Sequence, residues 1–497
     1  MNKLKKYVSD VISVDIVKTL EKGKNYLIGS EMGSGKNYWC RNILLPYTLD
    51  NNKKTLILSH RKINRDQQNR YLEEYKWECI RRFQGGMFEL ITYQQLENRI
   101  KRKDYEWLNQ FEYIVADEAH YFTKDSSINS KTILSFDWLN NNENAVKILM
   151  TGTYESLFYL PFDSKIEVLK EADYYNNNVE SLLRYEERET ALSVVEERVK
   201  KKEKVLIFHN NKEKLAEFDS MLTCPSQMLH SDNKADSEEY DLIVNNQKFY
   251  CSVLNTTSLM TEGAEIFDDK VKTIIIDGIS ELDKFVQAPA RVRDGKVNVF
   301  YKRVTPRQIM YKVKSLEKQL FYYDEFERLG EIEFVKEYGI DVIGKSMKAF
   351  YLDTVIDSLS GQEYTKLDIH TTNLANMQYQ LDCYNEMLEY GFEAMLKKYY
   401  PNIAYVDYEE LKRQEYIKAD IIDNYIGKKI FKEDQQILIN VIAEKFGLRA
   451  KNGTKKLGLK TINGYFEDNK IPYVLDSNKE SSGLMRNKQY WLLKKIS

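Results

Sequence analysis

From Asn25 to about Val168, short apolar runs alternate with longer polar stretches in helical spacing. The runs are NYLIGS, KTLILSH, FELITY, YIVADEAH and KILMTGT, each an Ile, Leu and Val core ending in small or polar residues. Unbroken apolar cores read as strands buried on both faces, the habit of parallel sheets, whose C-terminal loops carry function. A second set, KVLIFHN, PSQMLHSD, FYCSVLNTTS, VKTIIIDG and VNVFYKR, runs from about Lys204 to Arg303. The pattern predicts two consecutive α/β domains with parallel sheets, residues 1–170 and 203–305, joined by a linker over 171–202. After Pro306 such runs become rare. Glu, Lys, Tyr and Leu in helical spacing predict a helical accessory region over 306–430. Residues 431–497 read as helix (EDQQILINVIAEKFGL), turn and helix (GTKKLGLKTINGYFEDNKI), then strands PYVLDSN and NKQYWLLKK. Two helices and a hairpin predict a small winged-helix-like module.

Composition sharpens this outline. A chain of 497 residues exceeds one compact core, so several domains are expected. Charged residues make up 30% and hydrophobic ones 42%, the range of soluble globular proteins. The net charge of −2 gives no global field for nucleic acid, so any such surface must be local. The tail has that locality: from Arg449 onward eleven Lys and Arg stand against four Asp and Glu. The cysteines are scattered without a C-x-x-C pair, which fits a reducing, cytoplasmic compartment and argues against a Cys-based zinc site. No apolar run approaches the ~20 residues of a membrane span. The first residues, MNKLKKYVSDVISVDIV, are interrupted by Asp10 and Asp15 and read as an amphipathic helix rather than a signal peptide.

The candidate chemistry begins at residues 29–37, GSEMGSGKN. A phosphate loop, G-x-x-x-x-G-K-[ST], needs a small residue six positions before its lysine, here Ser30. The stretch then runs Ser30, Glu31, Met32, Gly33, Ser34, Gly35, Lys36, Asn37. Its glycines allow N–H groups to point at phosphate oxygens, and the following helix adds its positive end. Lys36 would reach the outer phosphates. Asn37 stands where Ser or Thr would ligate magnesium; its amide is also a hard oxygen ligand. Alone, this could be a plain glycine-rich turn. Downstream, FEYIVADEAH delivers Asp117 and Glu118 to a strand's C-terminal end. Adjacent carboxylates can divide labour, Asp117 holding Mg²⁺ and Glu118 deprotonating the attacking water. Together the two motifs predict a nucleoside-triphosphate site.

With DEAH in place, residues 1–305 resemble the superfamily 2 DEAD/DEAH-box helicases and translocases. LILSHRKINRDQ looks like motif Ia, LITYQQLENR like Ib, Thr151-Gly152-Thr153 like III, LIFHNNKEKLAEF like IV, VLNTTSLMTEGAEI like V and QAPARVRDG like VI. The resemblance implies two RecA-like domains with ATP and Mg²⁺ in the cleft and nucleic acid across their top. It implies that Gln287 senses the γ-phosphate, that Gly263 and Glu265 form the motif V turn, and that Arg291 and Arg293 stabilise transferred charge. Arg291 matches the first finger position; the second slot holds Asp294, with Arg293 one position early. Ser59, His60, Arg61, Thr92 and Thr256 would grip a nucleic-acid backbone, and His120, Thr151 and Thr153 would couple the domains. SHRKINRDQ and LITYQQLE resemble the viral origin-binding-type replication helicases and their phage relatives, which implies DNA as the track in replication of a phage or mobile element. The alternatives are an RNA helicase, a nucleotide-gated DNA-binding module with little turnover, and the motor subunit of a restriction or defence complex, each with its own protein partners.

Overall fold

The computed structural model describes residues 7–31, 33–60, 65, 87–171, 178–257, 265–356, 363–412, 425–446, 458–468, 473–482 and 486–495. The chain divides into two compact bodies, Met1–Tyr405 and Val406–Ser497.

Strands β1 (Asn25–Gly29), β2 (Thr55–Ser59), β3 (Phe88–Thr92), β4 (Tyr113–Asp117), β5 (Val146–Thr151) and β6 (Ile166–Lys170) form one sheet in the order β3-β2-β4-β5-β1-β6. Every neighbouring pair is parallel. Strands β1, β2, β4 and β5 are buried along their whole length, which is why they are apolar without alternation. Register sets Gly29 beside Thr151 and Asp117 beside Met150. The loops after β1, β4 and β5 therefore leave from one edge of the sheet. Helix α1 (Lys36–Trp39) follows the first of these loops and runs through a π turn into a helix over Leu45–Asp50. Helix α2 (Tyr93–Lys101) follows β3, and α3 (Tyr121–Lys124) follows the DEAH turn.

The second sheet holds β7 (Val179–Tyr185), β8 (Lys204–His209), β9 (Ser226–Leu229), β10 (Val253–Thr256), β11 (Val271–Asp277) and β12 (Val297–Lys302), with β15 (Ala404–Asp407) at one edge. Its order is β15-β7-β12-β11-β8-β10-β9. This corrects the linker expected over 171–202. Strand β7 pairs in parallel with β12, and α4 (Arg188–Lys200) follows it, so the second domain begins at Val179. VESLLRY mixes charged and apolar residues without a strand-like pattern, and pairing with its sheet neighbours makes it a strand. Helix α5 (Leu282–Gln287) lies between β11 and β12.

Past the second sheet come α6 (Pro306–Leu329) and α7 (Thr371–Tyr390), as the helical text implies. Between them stands an antiparallel hairpin that this text does not announce, β13 (Phe350–Ile356) with β14 (Glu363–Ile369). A small core of Phe334, Ile343, Met347, Phe350, Leu367 and Met377 holds this region together. Helix α8 (Phe392–Tyr399) precedes β15.

The second body contains β16 (Lys429–Ile430), α9 (Lys432–Phe446), α10 (Leu459–Asp468), β17 (Tyr473–Lys479) and β18 (Gln489–Lys495). The strand order is β16-β18-β17, antiparallel throughout. Ile430, Leu438, Ile462, Phe466, Leu475 and Leu493 form its core. Asn463 fixes α10 on β17: its amide donates to the Leu475 carbonyl (3.0 Å) and accepts from the Leu475 N–H (2.9 Å). Strand β16 belongs to this sheet, so the module starts before residue 431.

Candidate nucleotide-binding cleft

The phosphate loop is shaped by its glycines. Gly33 (φ 78°) and Gly35 (φ 84°) take left-handed backbone that a side chain would strain. The Ser30 N–H donates to the Thr151 carbonyl (3.0 Å), tying the loop to the end of β5. The Ser30 and Ser34 hydroxyls share a hydrogen bond (2.6 Å). Lys36 Nζ donates to the carbonyls of Ser30 (2.8 Å) and Glu31 (3.2 Å), so the ammonium lies along the loop it would serve. Asn37, next in α1, is exposed.

Asp117 and Glu118 leave the end of β4, both buried. Glu118 has φ 52°, a strained conformation for a residue with a long side chain. Two contacts hold the turn: Ala119 N–H donates to the Met150 carbonyl (3.0 Å), and the Tyr93 hydroxyl donates to the Asp117 carbonyl (3.0 Å). Burial opposes the Glu118 carboxylate, but His120, Lys36 and Arg291 together outweigh it, and its pKa lies below the ordinary carboxylate range.

The second domain closes the cleft. Val292 is extended and bridges Ile266 in parallel, so Arg291 and Arg293, two residues apart, fall on the same side. That explains how a spacing of two rather than three brings both to one site. A Cβ on Gly33 would stand 2.8 Å from an Arg293 guanidinium nitrogen, so that guanidinium lies against the phosphate loop. Arg293 also pairs with Glu265 (2.9 Å). Burial pushes the Lys36 pKa down; Glu118 and Asp117 oppose this, and Arg293 and Arg291 add to it. Three cations converging on a left-handed glycine loop fit a polyphosphate, whose charge would relieve their mutual repulsion.

A chain of polar contacts crosses between domains. His120 Nδ1 lies 3.5 Å from Glu118 and 2.8 Å from the Thr151 hydroxyl. The Thr151 hydroxyl meets the Thr153 backbone (3.1 and 3.2 Å), and Gln287 Nε2 donates to the Thr153 hydroxyl (3.1 Å). The structure thus brings together Ser30, Gly33, Ser34, Gly35, Lys36, Asp117, Glu118, His120, Thr151, Thr153, Glu265, Gln287, Arg291 and Arg293. Gly263 and Arg61 lie outside the described residues.

Of the residues expected to grip a strand, Ser59, His60, Thr92 and Thr256 are described. Ser59 and His60 are fully buried; His60 packs edge-on to His120 (5.4 Å) and faces Asp125 (3.1 Å) behind the cleft. The Thr92 hydroxyl caps α2, accepting from the Gln95 N–H (3.2 Å). The buried Thr256 hydroxyl donates to the Leu229 carbonyl (2.9 Å). All four side chains are buried in this arrangement. Sequence reading also missed Tyr93, which holds the DEAH turn, although an aromatic residue directly after β3 was there to be seen.

Residues 2–156 match the family described as "Type III restriction enzyme, res subunit". The match covers less than half of the chain and ends just past the Thr151-Gly152-Thr153 turn. Among solved structures, the chain is similar to Mycobacterium smegmatis helicase Lhr bound to ssDNA and AMP-PNP: 13% identity, TM-score 0.41, 60% of this chain and 46% of that one. It is similar to the DEAD-box helicase Mss116 bound to ssRNA and UDP-BeF: 13% identity, TM-score 0.47, 62% and 71% of the two chains. It is also similar to S. cerevisiae Dbp5 bound to RNA and ADP BeF3: 14% identity, TM-score 0.43, 56% and 79%. No curated protein matches this chain. Among the described residues, no helix is long and apolar enough to cross a membrane.

Proposed function

We propose that this chain hydrolyses ATP between two RecA-like domains and uses the cycle to move along nucleic acid, with DNA as the track. The observation that carries this is the chain of contacts from Glu118 through His120, Thr151 and Thr153 to Gln287, which links a candidate base in one domain to a candidate phosphate sensor in the other. Lys36 and the loop N–H groups would hold the phosphates, and Glu118 would take a proton from the attacking water. Arg291 and Arg293 would meet the charge that builds on the transferred group. Among the described residues, no cluster of three His, Cys, Asp or Glu could bind a metal by itself. Magnesium instead fits one carboxylate, Asp117, together with the nucleotide's own oxygens and the Asn37 amide. When bound, it would neutralise charge on the outer phosphates.

A change at the γ-phosphate would alter the Gln287–Thr153 link and so the spacing of the domains. The basic second body, with winged-helix-like order, would add a second hold on DNA. Its exposed Lys460, Lys479, Arg486, Lys488 and Lys494 supply backbone contacts that ignore sequence. The deciding experiment measures ATP hydrolysis alone, with single-stranded DNA, with duplex DNA and with RNA. DNA-stimulated turnover is expected; no hydrolysis with any of them would leave a nucleotide-gated binding module.

The biological setting has two readings, replication of a phage or mobile element and the motor of a restriction complex. The res-subunit match over residues 2–156 favours the second. Its test is ATP-dependent DNA cleavage after a nuclease partner is added: cleavage supports the restriction motor, and unwinding without cleavage supports replication.

A further inference from the structure

Residues on the two faces of the cleft meet in pairs. Asp283, Gln287 and Arg291 stand four residues apart and are all buried. On the first domain the opposing groups are Lys124, Thr153 and Glu118. Gln287 bonds Thr153, and Arg291 acts on Glu118. These two pairings belong to the site already described. The third, between Lys124 at the end of α3 and Asp283 near the start of α5, matches none of the family's motifs.

A buried ion pair needs its remaining hydrogen-bonding capacity met. Tyr379, in the middle of α7, does this. Its hydroxyl lies 3.2 Å from both Asp283 carboxylate oxygens, and its ring sits 4.2 Å from Lys124 Nζ. Contacts to both domains fix its helix. The Ser126 hydroxyl donates to Asn373 Oδ1 (3.2 Å), and the Thr132 and Thr372 hydroxyls meet at 3.1 Å. Past its end, Phe392 packs edge-on against Phe285 of α5 (5.5 Å), and the Tyr400 hydroxyl donates to the Val286 carbonyl (3.4 Å). The accessory helices therefore hold α5, the element that ends in Gln287, at Asp283, Phe285 and Val286.

We propose that Tyr379, with Lys124 and Asp283, positions α5 for ATP hydrolysis, so that the accessory region governs how Gln287 and Arg291 reach the cleft. Tyr379 is a positioning residue; it touches Asp283 and Lys124, and acts on turnover through α5. The inference rests on the ATPase reading above.

The test is steady-state ATP hydrolysis by the full chain with saturating single-stranded DNA. Tyr379→Phe keeps the ring and its packing and removes only the hydroxyl. A fall in kcat of about tenfold is expected, with KM for ATP within about twofold, because nucleotide contacts are intact while their alignment is lost. Lys124→Asp and Asp283→Lys should each lower kcat, and the two combined should recover much of it. Thermal unfolding separates misfolding from misalignment. If the charge-reversed chains do not fold, Tyr379→Phe alone decides. Wild-type kcat in a folded Tyr379→Phe chain, or a loss confined to KM, overturns the proposal. A wild-type chain that hydrolyses no ATP under any condition would instead remove the ATPase reading, and this inference with it.

Discussion

Asn37 occupies the position after the loop lysine, exposed on the first turn of α1. Its amide oxygen is a hard ligand of the same kind as a hydroxyl. Asn37→Thr is therefore expected to change ATP turnover by less than about threefold; a gain beyond tenfold would mark the native residue as the weaker ligand. Lys36→Ala and Glu118→Gln should both reduce kcat/KM by about 10²- to 10⁴-fold, but for different reasons. The first removes phosphate binding, so affinity for an ATP analogue falls too. The second removes the base and should leave that affinity nearly intact. Because the Glu118 pKa lies below its ordinary 4.5, the carboxylate stays ionised as pH falls through the neutral range. Acid loss of kcat from this group should appear only below pH 4.5, in a pH–rate profile taken where the fold survives.

At the element scale, α7 starts on a histidine. His370 Nδ1 accepts from the Asn373 N–H (3.4 Å), a role open only to the neutral ring. Burial lowers its pKa from 6.5 to about 4, more than the neighbouring backbone groups restore. The folded value lies below the unfolded one, so this contribution is fully present above pH 6.5 and is lost as pH falls toward 4. The loss is about 3 kcal/mol. His370→Asn keeps an acceptor for the helix N-terminus and does not titrate; the drop in thermal midpoint between pH 6.5 and 4 should be smaller than in the wild type. Legibility in the sequence also divides by element. The ten strands read from apolar runs all form; in β1, β2, β4 and β5, burial on both faces demands an unbroken apolar core. Strands β6 and β7 did not announce themselves: IEVLK, at a sheet edge, and VESLLRY, one strand in from an edge, carry charge at partly exposed positions. The motif residues of the cleft were legible because phosphate chemistry restricts them to few types at fixed spacing. The helix cap by Thr92 and the burial of His60 were not, since a strand-end Ser, His or Thr looks the same whether it caps a helix or faces a ligand.

For the whole molecule, the separate second body sets where to cut. Ending the chain at residue 412 keeps β15 in its sheet and removes the module together with β16. The shortened chain should keep ATP hydrolysis and bind DNA more weakly. Its plot of log affinity against log salt should flatten by about 2 to 3, the share of a few lost phosphate contacts. Equal affinity and equal slope in a titration of both chains would assign the basic tail another task.

The amino-acid sequence alone determined the two parallel-sheet domains, the phosphate loop, the carboxylate pair and the order of motifs. Those features are local: burial sets the strand text, and phosphate geometry sets the loop text. Only the tertiary structure decided what meets across the cleft. Arg293 reaches the Gly33 loop because Val292 bridges Ile266, a contact between segments with no shared local pattern. Tyr379 meets Asp283 and Lys124 across 96 and 255 residues of chain. Pairings at such separations depend on how helices pack, and no periodicity within one segment encodes them.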